Sequence, residues 1–154
     1  MYLSRILLSL NLLFIAYQSQ ALCVNVGQAN LRAEPKPNSR LLWTVGRYMP
    51  LLEVKYQGGW YLVKDLEGQK MWIASQLVSD DIDCAVIRVN QSNLRTEPDA
   101  KASKTPLSVA YKYMPFKKLQ REENWLYLQD AYGGKHWVID SNLWEPLEYT
   151  RLSY

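Results

Sequence analysis

Hydrophobic residues follow two regimes along this chain. From Ile6 to Tyr17 they run almost unbroken as ILLSLNLLFIAY, behind one early cation at Arg5. After Leu22 they come in short runs cut by glycine, proline and acidic residues, and no window of about a dozen residues there repeats at helical spacing. These runs read as strands: residues 23–31, 40–45, 51–56, 60–63 and 70–73. Their breaks are turn chemistry. Two prolines interrupt Ala33-Glu-Pro-Lys-Pro-Asn, Gly58-Gly59 joins two strands, residues 65–68 form the next turn, and Ser75-Gln76-Leu77 form a single tight one.

The same pattern is then written again. Asn30-Leu31-Arg32-Ala33-Glu34-Pro35 returns as Asn93-Leu94-Arg95-Thr96-Glu97-Pro98, and Tyr48-Met49-Pro50-Leu51 as Tyr113-Met114-Pro115-Phe116. Trp60-Tyr61-Leu62-Val63 with Asp65 returns as Trp125-Leu126-Tyr127-Leu128 with Asp130, and Lys70-Met71-Trp72-Ile73 as Lys135-His136-Trp137-Val138. The offset grows from 63 at the prolines to 65 at the tryptophans and 66 at Leu77 and Leu143, as single insertions in turns would make it. The chain is a duplication. Five short strands per unit, closed over one core, predict an all-β protein of two small barrels. Their boundary falls in the acidic stretch 79–83, giving units at residues 22–79 and 80–145 and a tail at 146–154, with a linker short enough for the barrels to pack together.

On these residues the chain resembles the bacterial SH3 (SH3b) family, whose repeat has an NLR-x-x-P opening, a G-W-x-x-V strand and a closing G-W-V-x-x-x-x-L strand. The likeness covers nearly all of residues 22–145, in tandem. It departs where Asn124, Met71 and His136 stand in place of the glycine before each tryptophan, and where Tyr-Met-Pro replaces the usual Lys-Gly. The resemblance implies tandem SH3-like barrels. It does not carry over one ligand, since members bind peptidoglycan stem peptides, cross-bridges or proteins.

The N-terminus bears on location. About a dozen apolar residues fall short of the roughly 20 that span a bilayer, and Ser19 and Ala21 occupy the small-residue positions of a signal-peptidase site. Residues 1–21 are therefore expected to be a signal peptide cleaved after Ala21, leaving an exported chain, periplasmic or secreted, without a stable membrane span. An uncleaved anchor and lipidation at Cys23 are the alternatives; Leu22, which is not small, speaks against the second. Cys23 and Cys84 each open a unit at what read as equivalent places, and their even number in an oxidising compartment predicts a disulfide between the barrels.

Composition removes several classes of function. With 18 Lys plus Arg against 15 Asp plus Glu there is no strong field for nucleic acid. One His and two Cys leave few soft metal ligands, and neither a metal nor a cofactor is expected. No G-x-S-x-G elbow, H-E-x-x-H helix or phosphate-cradling glycine loop occurs, and His136 aligns with Met71. No catalytic residue is assigned; the expectation is a binding protein, not an enzyme.

Six Trp and eleven Tyr carry the candidate site. Trp60, Trp72, Trp125 and Trp137 either pack the barrels and cover their open ends or line a groove that takes a sugar ring or a peptide. Tyr48, Tyr61, Tyr111, Tyr113, Tyr127 and Tyr132 lie in or beside turns, where an aromatic with a polar tip suits a wet binding surface. Arg32 and Arg95 are expected to fix turns, through a backbone contact or Glu34 and Glu97. Lys112, Lys117, Lys118 and Arg121 cluster near one hairpin, as a solvated face or a surface for an acidic partner. The expected ligand is peptidoglycan or its peptides; the alternative is a protein partner in the cell envelope.

Overall fold

The structure, a computed structural model, describes residues 20–146. The signal-peptide reading, apart from Gln20 and Ala21, and the tail beyond Pro146 lie outside the described residues. The described chain is all β. The first sheet holds β1 (Ala21–Val24), β2 (Gln28–Arg32), β3 (Leu41–Gly46), β4 (Pro50–Gln57), β5 (Trp60–Lys64), β6 (Lys70–Ala74) and β7 (Val78–Ser79). The second holds β8 (Cys84–Ile87), β9 (Gln91–Arg95), β10 (Lys104–Tyr111), β11 (Pro115–Glu122), β12 (Trp125–Gln129), β13 (Lys135–Ile139) and β14 (Leu143–Trp144). Strand order is β3-β2-β6-β5-β4-β1-β7 in the first and β10-β9-β13-β12-β11-β8-β14 in the second, the same topology twice.

Each sheet has seven strands where the sequence pattern predicted five. The run 23–31 is broken around Asn25-Val26-Gly27, so its halves pair with different neighbours: β1 with β4, β2 with β3. The tight turn is a short 3-10 helix, Ser75–Leu77, and the two residues after it add β7 to β1. Gly58 and Gly59, at φ 55° and 84°, turn β4 into β5 with the left-handed backbone a two-residue hairpin needs. Glu123 adopts φ 50° for the same purpose in the second sheet.

Each sheet curls over its own apolar cluster. Leu31, Leu51, Val63 and Ile73 are fully buried in the first; Leu94, Phe116, Leu126, Leu128 and Val138 in the second. The clusters meet at a seam. Val86 of β8 belongs to the first core, and Trp144 and Tyr113 of the second unit pack against it. All four residues of β8 are buried, Ala85 and Ile87 in the second core and Val86 across the seam in the first. The Cys23–Cys84 disulfide crosses the seam. Its cysteines are not at equivalent positions, contrary to the sequence expectation. Cys23 pairs with Pro50, as Val86 does with Pro115, whereas Cys84 pairs with Lys117, as Ala21 does with Leu52. The bridge is two residues out of repeat register, an offset that keeps both cysteines on the same face of their strands.

The outer aromatic face and the seam

Cross-strand register sets side chains in rows on one face of a sheet. In the first sheet Leu41 lies opposite Arg32, Arg32 opposite Trp72, Trp72 opposite Leu62 and Leu62 opposite Lys55. In the second the row is Lys104, Arg95, Trp137, Tyr127 and Gln120. Trp60 and Trp125 share that face two residues along the strand, opposite Ala74 and Ile139. None of Trp60, Leu62, Trp72, Trp125, Tyr127 or Trp137 joins either apolar cluster. Trp60, Trp72 and Trp125 are half-buried on the outer face, whereas Trp137, on the same face beneath Tyr127, is buried and is not open to a ligand as the sequence reading expected.

Period-two alternation explains this. Tyr61 and Val63 point to the core, so Trp60 and Leu62 point away from it. In the second sheet Leu126 and Leu128 are buried and Trp125 and Tyr127 face outward. Tyr127 stacks on Trp137 with ring centroids 4.9 Å apart and planes at 26°, whereas Lys55 lies 5.3 Å over the Trp72 ring. Arg32 and Arg95 are anchored alike: each Nη1 donates to a loop carbonyl, Ser39 or Ala102, at 2.8 Å. They fix the Pro-containing loops through backbone. In the second sheet this face holds a shallow groove of about 140 Å³, with Arg95 and Asn93 on one wall and Trp125 and Ile139 on the other.

The tyrosines do not form one set. Tyr61 packs on the first core with its ring 5.1 Å from that of exposed Tyr56. Tyr111 is exposed on β10, and Tyr132, at a turn tip, is 98% exposed. Tyr48 and Tyr113 occupy matched left-handed positions, φ 70° and 71°, which cost a side-chain-bearing residue about 1 kcal/mol. Tyr113 crosses the seam, meeting Trp43 edge-on at 5.2 Å. Lys112 pairs with Glu67 of the first unit at 2.5 Å and lies 5.4 Å from the Tyr113 ring centroid. The bond to Lys112 and its charge, then a hydrogen bond from Tyr113, hold the Glu67 carboxyl below its usual range, and the same bond to Glu67 raises the Lys112 ammonium. Burial first, then the bond to Glu67, raises the Tyr113 phenol.

Two further cations of that hairpin are also engaged within the chain. Lys118 and Arg121 both bind the buried Glu145 carboxylate, and Arg121 reaches Asp140 at 3.0 Å. A cavity of about 420 Å³ beside them is bordered by Ile82, Asp83 and Cys84, away from the aromatic rows.

One buried polar chain escaped the sequence reading. His136 Nε2 lies 2.9 Å from Asp130 Oδ2, and its Nδ1 lies 2.8 Å from the Thr105 hydroxyl. The same Asp130 carboxylate accepts the Tyr132 and Gly134 amides. Burial opposes its ionisation, but the hydrogen bonds from His136 and the two amides outweigh that and hold the carboxyl below its usual value. Asp65 accepts the matching amides of Glu67 and Gln69 in the first sheet, where the relay position is Met71. Gly134 standing for Gln69 beside His standing for Met was the available signal. Among the described residues no cluster of His, Cys, Asp and Glu could hold a metal, and no helix is long and apolar enough to cross a membrane.

Residues 25–80 match the family described as Bacterial SH3 domain. No curated protein matches the chain. Two solved structures from Trichomonas vaginalis are similar in part. NlpC2 is 9% identical with a TM-score of 0.38, over 89% of this chain and 51% of that one. NlpC1 is 10% identical with a TM-score of 0.37, over 82% and 45%. The chain spans about half the length of these two.

Proposed function

We propose, for a chain whose residues 25–80 are a bacterial SH3 domain and whose second half repeats that sheet, that it is an exported, non-enzymatic binding module of the cell envelope with peptidoglycan or its peptides as ligand. A bacterial SH3 domain and a disulfide both fit a location outside the cytoplasm. What carries the reading is the outer aromatic face, present twice, whose half-buried Trp60, Trp72 and Trp125 belong to neither core. A protein that needs tryptophan only for stability buries it in its cores, because burial is where an indole contributes most. Indole faces flanked by anchored arginines suit a ligand with flat apolar ring faces and carboxylates, which describes glycan strands with peptide stems.

Two such faces on one chain favour a repetitive polymer, since the second engages at the effective concentration set by the first. The relay Thr105–His136–Asp130 supports binding over catalysis, because all three side chains are buried away from any substrate. The test is co-sedimentation with purified sacculi. The wild-type chain should pellet, and Trp60→Ala combined with Trp125→Ala should weaken it at least about tenfold with an unchanged circular dichroism spectrum. Wild-type protein remaining in the supernatant would sink the reading.

A second reading, an adaptor for an envelope protein, is favoured by Tyr48, whose ring belongs to neither core despite its strained backbone.

A further inference from the structure

The seam contact is built from a cation, a left-handed tyrosine, a carboxylate and an aromatic ring. Lys112 and Tyr113 leave the end of β10 and dock on Glu67 and Trp43 of the first unit. The first unit has the same projection. Arg47 and Tyr48 follow β3, Tyr48 has the same left-handed backbone, and the Arg47 guanidinium lies 6.0 Å over its ring. Both amides are held alike, Tyr48 by the Val24 carbonyl and Tyr113 by that of Ile87. Arg47 is exposed, and neither its guanidinium nor the Tyr48 hydroxyl has a hydrogen-bond or ion-pair partner among the described residues. One projection is docked and the other is free.

We propose that Arg47 and Tyr48 form a docking surface for a protein partner that presents a carboxylate beside an aromatic ring, as Glu67 and Trp43 do for Lys112 and Tyr113. The occupant is not a second copy of this chain. The copy's Trp43 and Glu67 already engage its own Tyr113 and Lys112. The matching places in the second unit are Ser108 and Tyr132, which offer no carboxylate. This surface is distinct from the outer aromatic rows, so the partner and the envelope polymer can be held at once.

The test uses the full oxidised chain, isotopically labelled, titrated with N-acetyl-tryptophanyl-glutamate amide and with its glutamine counterpart as probes. The glutamate probe should give saturable shifts at Arg47, Tyr48 and Met49, and binding should be at least about tenfold weaker with the glutamine probe or in Arg47→Glu, the size of a lost charge-assisted hydrogen bond. Equal binding of both probes, no saturable shift at Tyr48, or shifts centred elsewhere would overturn the proposal. Sedimentation velocity should find a monomer; a dimer dispersed by Tyr48→Ala would assign the surface to self-association and overturn it too. Sacculus binding should be unchanged in Arg47→Glu, and its loss there would contradict two separate surfaces.

Discussion

Gly134 occupies the place that Gln69 has in the first sheet, and a Cβ there would collide with Asp130 Oδ2 and crowd His136 Nε2. The glycine lets the carboxylate turn inward to meet the imidazole. His136→Met, which installs the residue of the first sheet, leaves Asp130 and Thr105 each short of a buried partner and should cost about 1–3 kcal/mol by denaturant unfolding. Pairing it with Thr105→Leu should recover part of that loss. The Asp130 carboxyl is depressed in the folded state, so its contribution is present above the unfolded value of roughly 3.9 and is lost as pH falls through the lower folded one. The stability gap between wild type and Asp130→Asn should therefore shrink as pH falls below about 4. Thermal melts across that range check it. His136 was read from sequence as a residue without chemistry; its structural role was hidden because Thr105 is 31 residues away and only the β9–β13 pairing brings the two together.

At the scale of strands, sequence patterning reaches as far as local rules do. The Gly58-Gly59 turn, the flanking strands and the second copy of each were legible because alternation and turn residues are local. The short closing strands β7 and β14 were not, since a two-residue strand has no periodicity to detect. Nor was the outward aim of Trp72 and Trp137. Alternation assigns two faces to a strand but not which one meets the core, and only the rows through Arg32 and Arg95 decide it. The rows differ in one respect that a mutation can read. Tyr127 stacks on Trp137, while its counterpart Leu62 leaves Trp72 to Lys55. Tyr127→Leu should lower stability by about 1 kcal/mol, the order of one stacked pair, with the fold retained by circular dichroism.

The whole molecule is held by a seam that no single repeat encodes. The disulfide closes a separation of 61 residues, which on the chain-entropy model stabilises the folded state by about 4 kcal/mol. Reduction should lower the melting temperature and split one transition into two, as two small barrels lose their covalent tie. Intact mass under non-reducing conditions should sit about 2 Da below the dithiol form, the mass of the two hydrogens a bridge removes. The pairing of the cysteines was legible from their number and place, but not their offset, because that offset reflects how one sheet leans on the other. If both sheets present their outer aromatic faces to peptidoglycan, then soluble muropeptides titrated into the labelled, oxidised chain should shift the indole resonances of Trp60, Trp72 and Trp125 together. Saturable shifts confined to those faces are the predicted result. Indoles that stay unmoved while other surfaces respond, or no response at all, would contradict it.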